Sequence, residues 1–414
     1  MAETRSATLN RPATPLVVYS LGLTIFALTT SEFMVAGMMP ALSVGLGSSV
    51  AKIGYLIALY AVAMAVGGPL VTALLLHARA PDKPALLVLL ILYVAGGVLA
   101  AVAPGYGVMA VARVVTGATS AACFGVALTV AAGLAGPEAR GRAASIVLGG
   151  LMLAPVLGLP VTTWIGQTFG WRASFWSVAG LSALCTAIVL WVVPSTHRRE
   201  AQAGLAPELA ALKSRGLWAA YATSGLIIGA TFAAFSYAGP LLVSAVGFPE
   251  SALPILLAVY GVANVVGNLI VGRFADRYTM PILAGGLVLL SAALAAFGAF
   301  ASHGSVALTA FLVIGLVGVP MNPAMVARVM RAAHPGALVN TMHTSVITTG
   351  LAFGTWAGGA AIDAGFRLTA PLWIGFVLAL LGLASLLAGR AAGARRMIAE
   401  ASPRRSTGTP DLIR

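Results

Sequence analysis

Charge is scarce in this chain. Asp, Glu, Lys and Arg make up 8% of its 414 residues, hydrophobic residues make up 59%, and mean hydropathy is +0.97. A soluble protein of this length would leave too much apolar surface in water, so the soluble classes are excluded. Cysteine is nearly absent. Cys123 and Cys185 both fall in apolar runs, which argues against a disulfide framework or a thiolate metal site and reads them as small buried hydrophobes. The five histidines are scattered and give no ligand or nucleophile spacing, so no metal, cofactor or membrane-embedded catalytic cluster is expected. No phosphate-binding loop of the Walker type occurs, which argues against direct drive by ATP. A cleavable leader is not expected either. Residues 1–15 are polar, and the apolar run from Leu16 is too long and lacks a small-residue cleavage site.

What the chain does contain is a succession of apolar runs near the ~20 residues that a membrane-crossing helix needs. Twelve spans are expected: 16–40, 51–76, 85–102, 107–134, 143–166, 173–193, 217–243, 251–272, 281–301, 306–327, 337–362 and 369–389. The runs are too long for barrel strands and lack their alternation. The net charge of +13 could suggest nucleic acid, but the cations sit at loop ends without an accompanying aromatic motif, so no nucleic-acid partner is expected. Their placement serves topology. With the N-terminus inside, 20 of the 24 Lys and Arg fall on cytoplasmic segments, three (Lys52, Arg172, Arg367) fall on outer loops, and Arg113 lies within a span. That bias predicts both termini in the cytoplasm of a multi-pass inner (plasma) membrane protein.

The expected organisation is a cytoplasmic N-terminus (1–15), a six-helix bundle (16–193), a charged central loop (194–216), a second six-helix bundle (217–390) and a cytoplasmic tail (391–414). An internal repeat supports the division. At an offset of 200, Leu56, Ala58, Tyr60, Val62, Ala63, Val66, Gly67 and Val71 recur as Leu256, Ala258, Tyr260, Val262, Ala263, Val266, Gly267 and Val271. The fold class read from this is all-α, two six-helix bundles rocking around a central cavity.

Four local patterns carry chemistry. Gly272-Arg273-Phe274-Ala275-Asp276-Arg277 follows span eight. There Gly272 would permit close helix approach, and Asp276 would cap or pair with cations at a neighbouring helix end. Arg113 and Gly117 lie in span four, with Ser120 and Phe124 on the same helical stripe. A guanidinium at membrane depth needs a partner and should face protein or water. Span five carries Gly150, Ala154, Pro155, Gly158 and Pro160, in which Pro155 bends the helix and the small residues let the bend pack tightly. Thr29-Thr30-Ser31-Glu32-Phe33-Met34 ends span one, and Gly170-Trp171-Arg172 precedes span six. Glu32 is the acidic residue placed deepest in a span. It stands eight residues before Pro40, hence about 12 Å inside the helix end at 1.5 Å per residue.

With these patterns the chain resembles the major facilitator superfamily over residues 16–390, and within it the twelve-span drug/proton antiporters, including chloramphenicol, sugar and nucleoside exporters. The resemblance implies a cytoplasmic gate at Gly272, Arg273, Asp276 and Arg277, and an antiporter motif at Gly150, Ala154, Pro155, Gly158 and Pro160. It also implies a span-one/span-four neighbourhood in which Glu32 and Arg113 couple protons. Ala154 stands where Gly is commonest. In the first half, Thr72, Leu76 and His77 replace the gate residues, followed by Arg79, Asp82 and Lys83, which puts a first-half gate in doubt. Further candidates for substrate contact are Phe124, Phe232, Phe235, Tyr237, Asn264, Asn340 and His343; helix packing competes with that reading at each. Asp363 and Arg367 read as interfacial. The function expected is proton-coupled export of small amphipathic molecules by a monomer in the lipid bilayer. The alternatives are a sugar or nucleoside exporter or symporter and, from a different class, a membrane-embedded enzyme.

Overall fold

The computed structural model describes residues 16–78, 80–194, 212–332 and 337–401. The expected N-terminal segment 1–15, Arg79, most of the central loop and the end of the tail lie outside the described residues. Those described form helices and short connections, with no strand among them.

Eleven helical stretches are long and apolar enough to cross a membrane: Leu16–Gly37, Val50–Leu75, Asp82–Ala101, Tyr106–Leu134, Gly141–Phe169, Trp171–Val192, Arg215–Phe235, Glu250–Ala299, Gly304–Ala332, Val339–Asp363 and Ala370–Ala388. One of them holds two crossings. Its helix Leu253–Ala299 has 47 residues and would measure about 70 Å if straight, more than twice a ~30 Å hydrocarbon core. Tyr278 breaks it, with φ −122° and ψ 31°. The break follows the polar run Arg273–Arg277, so spans eight and nine lie on either side and the twelve expected spans are all present. The last helix runs on to Ala401, past the expected end at 389, because Ala, Arg and Met favour helix beyond the apolar stretch.

The two halves are built alike. Span one packs on spans five and six, and span seven packs on spans eleven and twelve in the same way. Small residues make these crossings. A Cβ at Gly150 would run into the backbone carbonyl of Gly22, and Cβ atoms at Gly350 and Gly354 would run into the carbonyls of Gly225 and Gly229. Spans seven and eleven therefore meet through two facing Gly-x-x-x-Gly pairs. Apolar lipid supplies little drive to push helices together, so close backbone approach and the dispersion contacts it permits must hold them. The 200-residue repeat reaches the loops as well. Gly47 and Gly247 both adopt positive φ, 57° and 92°, at the turns after spans one and seven, a conformation that costs glycine little.

The halves touch each other from mid-membrane to the end expected to be outer. Span two lies along span eleven there, and span five along span eight. A Cβ at Gly261 would lie 2.5 Å from the carbonyl oxygen of Pro155, and one at Gly239 would lie 3.0 Å from that of Ala36. The hydrogen bonds described between the halves (Tyr55 and Ser49 to Asp363, Gln167 to the Glu250 carbonyl) cluster at that end.

Replacing Gly354 by Leu should force spans seven and eleven apart and destabilise the protein by about 1–3 kcal/mol, the usual cost of overpacking. Thermal unfolding of detergent-solubilised protein would register this as a lower Tm. An unchanged Tm would mean that the crossing does not depend on backbone contact.

Candidate functional site

Span one carries Ser31, Glu32 and Phe33 in succession, and these three residues face different tasks. Ser31 is buried against span four. Arg113, 1% exposed, donates from Nη1 to the Ser31 carbonyl at 2.8 Å and from Nη2 to the Glu32 carbonyl at 3.4 Å. Its guanidinium also lies over the Tyr60 ring, 4.0 Å from the centroid. Tyr60 is fixed in turn because a Cβ at Gly117, one turn beyond Arg113, would lie 2.5 Å from the Tyr60 carbonyl oxygen. A fork of donors on two carbonyls and an aromatic face supply what a cation needs away from water. Arg113 Nε is buried and has no partner among the described residues.

The structure thus brings Glu32 and Arg113 together, through the backbone of Glu32. Among the described residues the Glu32 carboxyl forms no ion pair. Glu32 itself is half-buried.

Phe33 points the other way, into a cleft between the halves. Phe33, Leu151, Met152, Pro155, Phe232, Phe235, Tyr260, Asn264 and Val319 line it. The Phe33 ring stacks on Phe232 at 5.9 Å and meets Phe235 edge-on at 5.9 Å. Phe235 then stacks on Tyr260 at 4.9 Å, and Tyr260 on Phe311 at 4.6 Å. The lining is aromatic and aliphatic, with the Asn264 amide and the Tyr260 hydroxyl as its polar side-chain groups.

The span-five pattern forms the wall behind this cleft. Ala154–Gly158 is a widened π turn, where Pro155 cannot donate a backbone hydrogen bond. Gly150 abuts span one at Gly22, Gly158 abuts Thr30, and the Pro155 carbonyl abuts Gly261 of span eight. The expected tight packing at this bend therefore joins span one to the second half.

Other candidates sort differently. Phe232, Phe235 and Asn264 line the cleft. Tyr237 is fully buried, donates to the Thr355 carbonyl at 2.9 Å and closes the expected outer end. His343 joins span eleven to span seven through Ser224 Oγ at 2.9 Å and stacks on Tyr221, a helix-packing role. Phe124 packs against the first-half core with Cys123 and Val130. Asn340 is exposed, and its carbonyl accepts from Thr344. Arg172 stacks on Trp171 and donates to the Ala103 carbonyl at 2.9 Å, so Gly170-Trp171-Arg172 ties helix ends together.

The gate segment is largely exposed. Among the described residues a Cβ on Gly272 would meet nothing within 4 Å, so the residue makes no close helix approach in this structure. Asp276 is exposed, and Arg331 reaches its backbone carbonyl rather than its carboxylate. Among the described residues the Asp276 carboxylate forms no ion pair.

Sequence reasoning missed Tyr60, the ring beneath Arg113, and its counterpart Tyr260 in the cleft. The repeat that pairs positions 60 and 260 was the available signal. It also missed the contact of Asp363 with Tyr55 and Ser49.

Comparison with known proteins bears on this architecture. The family profile described as Major Facilitator Superfamily matches residues 21–355. The inner membrane transport protein YdhP of Escherichia coli K12 is 34% identical over 379 residues, which cover 90% of this chain and 94% of that protein. A chloramphenicol resistance protein of Streptomyces lividans is 31% identical over 374 residues, covering 89% and 95%. Among solved structures, the nucleoside transporter NupG matches with a TM-score of 0.70 at 14% identity, over 91% of this chain and 98% of that one. A bacterial homologue of the human lysosomal transporter Spinster, inward-facing and unoccupied, matches with a TM-score of 0.68 at 15% identity, over 90% and 96%.

Arg113→Lys should keep the charge but lose the two-carbonyl fork and the ring contact. The expected result is a destabilisation of about 1–3 kcal/mol, as buried acceptors lose a donor, read as a lower Tm in detergent. Parent-like Tm would show that span one is held here by other contacts.

Proposed function

The chain belongs to the major facilitator superfamily of membrane transporters, and from that premise we propose that it exports small amphipathic molecules in exchange for protons, by alternating access. The observation that carries the reading is the adjacency of Glu32 and Phe33. A carboxyl without an ion pair and an aromatic wall of the cleft are successive residues on one helix, which Arg113 grips at the carbonyls of Ser31 and Glu32. Proton uptake at Glu32 and occupation of the cleft against Phe33 then act on the same turn. The unpartnered Arg113 Nε leaves a donor that can take a new acceptor when that turn moves.

The lining favours the substrate class. Rings in offset or edge contact suit an apolar or aromatic guest, and the polar side-chain groups in the cleft are too few for the many hydroxyls of a sugar. The Streptomyces lividans relative makes chloramphenicol the first molecule to test. The likeness to a nucleoside transporter concerns the fold, so a nucleoside or sugar exporter or symporter is the second reading. For orientation, the positive-inside bias supports both termini in the cytoplasm of the inner membrane. The closed face is then the outer one, and the cleft belongs to an inward-open state. Asp276 would find its cationic partners when the inner ends come together.

Efflux from preloaded vesicles under an imposed pH step tests the coupling. Because protons enter as substrate leaves, acidifying the outside should speed export, and an uncoupler should abolish the drive. Glu32→Gln keeps shape and removes titration, so gradient-driven export should fall to background at every external pH, with binding of a neutral substrate retained. Export at the parent rate across external pH would assign Glu32 a structural role and overturn the reading. Asp276→Asn should raise cytoplasmic accessibility of engineered cysteines near Arg273, since it weakens a charge-assisted contact of the inward-closed state. Unchanged accessibility would remove this segment from the gate.

A further inference from the structure

Asp363 is the last residue of span eleven, at the end where the halves touch. Its carboxylate accepts from Tyr55 Oη at 2.8 Å and lies 3.4 Å from Ser49 Oγ. Both donors belong to the first half. Ser49 is the N-cap of span two, its Oγ accepting from the Lys52 amide at 3.2 Å. An anion at the carboxyl end of its own helix faces the negative end of the helix dipole and is disfavoured there, whereas an anion at the amino end of a helix is favoured. Asp363 is therefore badly placed in its own half and well placed only when span two of the other half lies against it.

The surrounding seam is closely packed. Tyr237 Oη fills the space in front of Gly54 of span two and also lies where a Cβ of Gly359 would sit, 2.5 Å away; the same Cβ would lie 2.8 Å from Tyr55 Cε1. Only glycine at 54 and 359 lets the two tyrosines pack between the spans. None of these contacts reaches the cleft or Arg113.

We infer that Asp363 and Tyr55 form an interhelix latch that holds this face of the transporter closed, with the Gly54–Tyr237–Gly359 seam as its fitted surface. Asp363 acts here as a positioning residue. Its hydrogen bond forms in the state described and must break whenever the face opens, so it sets the balance between the two states. The inference rests on the alternating-access reading, though on neither the substrate nor the coupling ion.

The test is a distance measurement on the full chain in lipid nanodiscs. Spin labels at Val102 and Val306, exposed residues at the same end of opposite halves, report whether the face is open. The buried Cys123 and Cys185 are replaced by Ala. Tyr55→Phe and Asp363→Ala should each raise the open population about fivefold, the size expected of one net hydrogen bond. The double variant should shift it no further than the larger single one, and Asp363→Glu should restore part of the closed population. Gly359→Ala, which intrudes on Tyr237 and Tyr55, should also favour the open state. If Asp363→Ala does not fold, Tyr55→Phe and Gly359→Ala decide the matter. No shift in Tyr55→Phe, or additive shifts in the double variant, would overturn the latch. Loss of the latch effect with proton-driven efflux intact would leave the exporter reading standing, and the converse result would leave the latch.

Discussion

Where helices cross in this protein, a glycine on one meets a backbone carbonyl on the other, and the remaining architecture follows from that approach. In lipid the helix surface and its surroundings are equally apolar, so burial of side chains does little to choose a partner helix. Backbone proximity does choose. Gly150 at Gly22, Gly350 at Gly225 and Gly354 at Gly229 set spans one and seven against spans five and eleven. The same kind of contact puts Gly117 against Tyr60 and, 3.1 Å from a Cβ, Gly315 against the carbonyl of Tyr260. Each half is thereby a rigid unit in which bulky side chains occupy what the crossings leave open.

The repeat then explains an asymmetry. Tyr60 and Tyr260 hold corresponding places on spans two and eight, each facing the next-but-one span. In the first half that neighbour offers Arg113, and in the second it offers Phe311. One half has become the site of a buried cation with its carbonyl partners, the other an aromatic shelf. Phe33 connects them, because it sits beside the arginine-held turn and lies on the shelf's outermost rings.

Much of this was legible in the sequence. Twelve apolar runs, the charge sorting and the 200-residue repeat depend on composition and spacing, which survive without coordinates. Glu32 and Arg113 were legible because an ionisable group at membrane depth needs a reason to be there. How they meet was not legible, since the spacing of Glu32 and Arg113 does not say that the guanidinium would take carbonyls instead of the carboxylate. Spans eight and nine run together as one helix because the polar turn between them keeps helical angles on either side of Tyr278. Asp363 was unreadable for a different reason. Its significance comes from a partner 308 residues earlier in the chain, and a helix-end carboxylate in isolation reads as ordinary interface. Gly272, a residue suited to close packing, lies open in this structure.

The division of contact strength is what makes a two-state machine feasible. Within each half, helices meet by backbone approach along much of their length, and opening such crossings would expose several of them at once. Between the halves the described contacts lie from mid-membrane to one end: a few hydrogen bonds, a ring stack, the packing of Tyr237 between Gly54 and Gly359, and close passes at Gly239 and Gly261. Each such hydrogen bond is worth about 1 kcal/mol net. Two conformations of one protein exchange readily when they differ by a few kcal/mol. A proton on one side chain, or a guest in the cleft, can supply a difference of that size, whereas neither could pull apart the packing of a half. The glycine crossings keep each bundle intact, and a seam confined to one end leaves the choice between faces to small local events near Phe33 and Asp363.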